Sequence, residues 1–194
     1  MDQLSVELTS QFSFTIERFE NLIIILALAM ALAWGSGINL YATIFAVGVT
    51  SATGHTDLPN GLILLENQIV IAVAAVMYLT EFFVARSVKD DTGWDAVHTF
   101  IYIPAGGALA AGAVAGSGLI AVIGIGVAGA FLSHLTHNSI LGAKHFLFSS
   151  GGLFSPVSAS LLKDTILLAG LWTSFHFPIV LLTLLVCFFI YILT

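Results

Sequence analysis

The chain has 194 residues, 58% of them hydrophobic and 8% charged, with a mean hydropathy of +1.04. A soluble globular domain does not carry so much apolar surface, so the composition points to a polytopic membrane protein. Eleven acids against five bases, a net charge of −6, argue against a nucleic-acid partner, and the lone Cys187 excludes an internal disulfide or a thiolate metal cage.

Residues 1–20 form an N-terminal segment in which Leu4, Val6, Leu8, Phe12, Phe14, Ile16 and Phe19 alternate irregularly with acids. This reads as an interfacial helix whose acidity suits a protein neighbour better than anionic lipid. Residues 21–194 read as a single transmembrane domain. Ala31-Leu32-Ala33 resembles a leader-peptidase site, but Asp2, Glu7, Glu17 and Glu20 against Arg18 make the wrong flank for a secretory leader. The first apolar run, Asn21 to about Gly54, would be roughly 50 Å long as a continuous helix, against a hydrocarbon core of roughly 30 Å. Gly35-Ser36-Gly37 lies near its centre, and Asn39 and Tyr41 follow. Glycine costs about 1 kcal/mol against alanine inside a helix. The run therefore predicts a broken span, with the break turned into the protein. Such a break can mark a solute or ion site, or serve as a kink that lets two helices pack closely.

His55 to Gly61 has turn chemistry at Pro59 and Asn60-Gly61. A second span is predicted at about Gln68 to Ala85, with Glu81 inside or at the edge of the bilayer. The charged loop Arg86 to Asp95 follows. Third and fourth spans, about Ala96 to Ala115 and Leu119 to Ser133, are rich in glycine and alanine, including Gly112, Gly116, Gly124 and Gly126. They predict a tight hairpin or an oligomer face. His134 to Lys163 reads as a long semi-polar loop that partly re-enters the bilayer. A fifth span, about Thr165 to Thr194, should kink at Pro178. The expected fold is an all-α transmembrane bundle of about five crossings, with a broken first helix and a partly re-entrant loop. Five crossings place Arg18, Arg86, Lys89, Lys144 and Lys163 on one side, which predicts a cytoplasmic N-terminus.

Three blocks carry a family resemblance. They are Gly37-Ile-Asn-Leu-Tyr-Ala-Thr43, Glu81-Phe-Phe through Trp94-Asp-Ala-Val-His-Thr99 to Pro104-Ala-Gly106, and Ser133-His134 through Lys144 to Ser155-Pro156 and Ser160-Leu-Leu-Lys-Asp164. In this order the chain resembles a bacterial family of small integral membrane proteins known only as a domain of unknown function. The family pattern often has an acid, a lysine and a proline where this chain has Ala85, Arg86 and Val88, and an arginine where it has Tyr102. The resemblance implies a polytopic fold in the bacterial cytoplasmic (inner) membrane and no activity.

Polar residues within the apolar runs are the candidate site. Asp91, Asp95 and His98 share a face if helical, and two carboxylates with an imidazole can bind a cation or pass protons. Asp91 or Thr92 can equally cap a helix, with Asp95 in its first turn. His134 and His137, spaced i and i+3, can reach one metal, though no third ligand is evident nearby. Glu81 with Asn39 and Tyr41 is the third group. A carboxylate in a membrane is costly and by default functional, or else Glu81 pairs with Arg86 at the interface. No nucleophile motif, phosphate loop or cofactor fingerprint emerges, so neither catalysis nor a cofactor is expected. The leading expectation is a small transporter or channel for an ion or small solute, homo-oligomeric in the lipid bilayer. Its pathway residues would be Gly35, Gly37, Asn39, Tyr41, Glu81, Asp91, Asp95 and His98. The alternative is a non-catalytic accessory or assembly subunit of a larger membrane complex. A polar cavity at the Gly35–Gly37 break would favour transport, and a dry break would favour the accessory role.

Overall fold

The computed structural model describes residues 3–87, 92–149 and 156–193, with the side chains of 3–6, 8–9, 84–87, 92–99, 144–149, 156–157 and 193 outside the description. Among the described residues the fold is all-helical. The helices are α1 (Gln3–Ala52), a 3₁₀ helix (Asn60–Glu66), α2 (Gln68–Ser87), α3 (Thr92–Ala113), α4 (Leu119–Ser149), α5 (Pro156–His176) and α6 (Pro178–Leu193).

Helix α1 is the axis of the bundle. From Ala27 onward it is buried almost all round, with Ala27, Ala29, Ala31, Leu32 and Ala33 at 0% exposure. A helix apolar on every face needs neighbours on every face, and α3, α4, α5, α2 and α6 all pack on it. Its first turns differ: Phe12, Phe14 and Phe19 are exposed. At its other end Gly54, with φ of 74°, closes the helix. Gly54 N donates to Ser51 O at 2.8 Å and His55 N to Thr50 O at 3.0 Å, the paired bonds of a glycine C-cap.

The break in α1 is at Asn39, with φ −159° and ψ 103°, not at the glycines. Asn39 Oδ1 accepts from Ala42 N at 3.0 Å, so it caps the second half of α1 with its own side chain. Thr43 Oγ1 donates to Asn39 O at 2.8 Å. Gly35 and Gly37 stay helical because neighbours shield them. A Cβ on Gly37 would lie 2.5 Å from Ser133 O, and one on Gly35 would lie 2.8 Å from Thr43 Oγ1.

The region read as a re-entrant loop after Ser133 is helix instead: α4 runs on to Ser149 and α5 begins at Pro156. The hydroxyls of Thr136 and Ser139 are satisfied on the helix itself. Thr136 Oγ1 donates to Leu132 O and Ser139 Oγ to Leu135 O, each at 2.8 Å. The bent feature lies elsewhere, where Asn60–Glu66 meets Gln68–Phe83 at 66°. Asn67 makes that corner, its Oδ1 accepting from Ile69 N at 2.8 Å. Pro178 divides the last apolar run as expected. The backbone bonds resume across it, Phe177 N to Thr173 O at 2.8 Å and Leu181 N to Phe177 O at 3.1 Å.

Among the described residues, Ser10–Ala52 and Leu119–Ala143 are long and apolar enough to cross a membrane, and the bent pair makes a third candidate if it counts as one span. Phe100–Ala113 and Pro178–Ile192 are shorter apolar helices. Helices α3 and α4 pack through glycine, and of the four glycines singled out in the sequence only Gly126 lies in that contact. A Cβ on Gly107 would lie 2.8 Å from Gly126 O, and one on Gly129 would lie 2.5 Å from Ala110 Cβ. Gly112 faces the 3₁₀ helix instead, 2.8 Å from Leu62 Cδ2 by the same measure, and Gly116 and Gly124 face open space.

Candidate functional site

Tyr102 of α3 is the hub of a polar network. Its carbonyl accepts from Ser133 Oγ of α4 at 3.0 Å and from Ser36 Oγ of α1 at 3.3 Å. Gly106, one turn on, makes this convergence possible, because a Cβ there would lie 2.5 Å from Ser133 Cβ. The Tyr102 ring meets His137 edge-on at 5.3 Å and Tyr41 at 6.3 Å. Its hydroxyl donates to Glu81 Oε2 of α2 at 3.0 Å. Tyr102, at 2% exposure, thereby links α1, α2, α3 and α4.

The seam between α2 and α5 carries the charge. Lys163 Nζ stands 3.6 Å from Glu81 Oε1, and both side chains are about 15% exposed. One turn back along α2, Tyr78 Oη donates to Asp164 Oδ2 at 2.7 Å. Tyr78 and Glu81 share a face of α2 at i and i+3, and Lys163 and Asp164 are adjacent on α5. The result is two polar rungs between helices that otherwise meet only briefly. Asp164 is 7% exposed, and its Oδ1 is buried with no protein hydrogen-bond partner.

Of the residues singled out from sequence, Tyr41 and Glu81 join this network. Gly35 and Gly37 serve packing, and the Asn39 side chain caps its own helix. The cation beside Glu81 among the described side chains is Lys163; that of Arg86 is outside the description. Asp91 lies outside the described residues, and Asp95 and His98 lie on the part of α3 whose side chains are outside them. His137 packs on Tyr102, while Asn138 Nδ2 lies 3.1 Å from His134 Nε2. Among the described residues no three His, Cys, Asp or Glu side chains converge to hold a metal ion.

Sequence reasoning missed Tyr78, Tyr102, Lys163 and Asp164 as site residues. One signal was available: Lys163-Asp164 is an acid–base pair just ahead of a long apolar run. Of the two outcomes set out for the break, a polar cavity or close packing, the structure has close packing, with Ser36 at 0% and Asn39 at 3% exposure. The neighbouring groove of about 240 Å³ between α1 and α2 is lined by Tyr41 and by apolar Ile44, Ile69, Val70, Val73 and Ala74.

The arrangement holds a carboxylate in place with a phenol and an ammonium, and it presents a second, less satisfied carboxylate one turn away. That second carboxylate keeps one buried oxygen without a protein donor. No curated protein and no solved structure matches the chain. A family model described as "Domain of unknown function (DUF4126)" matches residues 26–194, nearly the whole bundle that carries this network, and the chain belongs to that family.

Proposed function

We propose that the protein is a small integral membrane transporter for a cation or small solute, working by rearrangement of helices rather than through a standing pore. The observation that supports it is the charged seam, Glu81 with Lys163 and Asp164 with Tyr78, inside an apolar bundle. A carboxylate buried within a transmembrane bundle is costly, so its retention implies use. The close packing of the Asn39 break argues against a permanently open channel. On this reading the bundle crosses a bacterial cytoplasmic membrane five times, acts as a homo-oligomer, and has its N-terminus on the cytoplasmic face.

The dry break also favours a second reading, an accessory subunit of a larger membrane complex. Its docking arm would be the acidic first turns of α1, which expose Phe12, Phe14 and Phe19.

Flux in proteoliposomes tests the first reading, with monovalent cations, divalent cations, anions and protons each run against empty vesicles. Transport predicts flux for one class, reduced in Glu81→Gln while the variant still folds. Absence of flux for every class removes ion transport and leaves the accessory role. Labelling of Lys89→Cys from the periplasmic side alone would overturn the orientation.

A further inference from the structure

The two rungs of the α2–α5 seam are not equivalent. Glu81 has both oxygens engaged, Oε2 by the Tyr102 hydroxyl and Oε1 by Lys163. Asp164 has one oxygen engaged, by a neutral phenol, and its Oδ1 has no protein partner although the residue is more than nine-tenths buried. Among the described side chains the seam therefore holds two carboxylates and one ammonium. One negative charge is left over, inside a bundle where an uncompensated charge is expensive.

We propose that Asp164, with Tyr78, is a binding site for a single alkali-metal cation held between α2 and α5. Hard monovalent cations take oxygen ligands, and the free Asp164 carboxylate oxygen and a Tyr78 phenol lone pair supply two of them. A divalent or transition metal is disfavoured by the ligand set, because among the described residues no three acid, histidine or cysteine side chains converge. Tyr78 keeps its lone pairs for the ion while its proton faces Asp164 Oδ2. Lys163, next along α5, is committed to Glu81 and does not neutralise the site. The bound cation joins α5 to α2, and its departure leaves the Asp164 carboxylate uncompensated in the seam. Occupancy thus controls whether the seam stays closed. This deepens the transport reading, on which the role of the site rests, by naming the ion class.

Thermal unfolding of the whole purified protein in an uncharged detergent tests the site. It is measured in sodium, potassium or choline chloride at matched ionic strength. The parent should melt higher in sodium or potassium than in choline, rising roughly 3–6 °C per tenfold increase in cation above its dissociation constant. Asp164→Asn keeps the shape, removes the charge and should abolish the dependence. Tyr78→Phe should retain it at about tenfold higher cation concentration, and it decides the matter if Asp164→Asn does not fold. A parent indifferent to all three salts overturns the proposal and assigns Oδ1 to water or a proton. An undiminished dependence in Asp164→Asn, or in Tyr78→Phe, overturns it by placing the ion elsewhere. Cation-dependent melting without flux keeps the site and removes the transport reading; flux without cation-dependent melting does the reverse.

Discussion

The α3–α4 hairpin and the α2–α5 seam join helices in opposite ways. In the hairpin, Gly106, Gly107, Gly126 and Gly129 bring backbones together with almost no side chain between them. In the seam the helices stand apart and four polar side chains bridge them. Lipid tails are as apolar as leucine, so burial alone does not drive helices together in a membrane. Close dispersion contact and interhelical hydrogen bonds remain. The hairpin uses the first and is rigid, because interdigitated backbones have one arrangement. The seam uses the second, and polar rungs can exchange a bond for an ion without repacking the core. The site belongs where the bundle can change.

Enlarging a glycine at a close helix contact, in the hairpin or where α1 meets α4, should give the largest effect. Gly129→Leu would force Ala110 and Gly106 away from α4, and Gly37→Leu would push α1 off Ser133. Each should lose about 3 kcal/mol or fail to yield folded protein, as overpacking does in cores. Melting and size-exclusion profiles unchanged from the parent would break the comparison at its rigid end.

A smaller loss is expected in the seam. A double-mutant cycle of Glu81→Gln with Lys163→Met should give a coupling of about 1 kcal/mol, within the range of interhelical polar contacts in membrane bundles. Melting of the four proteins measures it. A coupling as large as a glycine substitution would make the seam structural and undo the division of labour.

Asn39→Ala should cost about 1 kcal/mol by the same assay, the usual value of a helix N-cap, and Asn39→Ser should recover most of it. Equal melting of the alanine variant and the parent would mean that the break is held by packing against α4 alone. The smallest change is expected for Gly116→Leu and Gly124→Leu, within about 0.5 kcal/mol, because a Cβ at either meets nothing within 4 Å. A large loss at either would show that an unseen partner, such as a second copy, packs there.

The sequence by itself determined the class of fold and most helix positions. Apolar runs of membrane length, the turn residues around Pro59 to Gly61, and Pro178 reflect local constraints, and local constraints are visible in a one-dimensional string. It also marked Glu81, Tyr41 and the unusual character of residues 35–41. It did not locate the break, because whether a glycine loosens a helix depends on what lies against it. Ser133 and Thr43 shield Gly37 and Gly35, so the break passes to Asn39, which can cap itself. Nor did it follow α4 past Ser133, since hydroxyls that look like loop chemistry are satisfied one turn back on a helix. The partners of Glu81 were decided only in three dimensions. Tyr102 and Lys163 come from other helices, and their approach depends on the absent side chain of Gly106 and the meeting of α2 with α5. Pairing across a bundle is a property of helix packing, and packing is set by every surface at once.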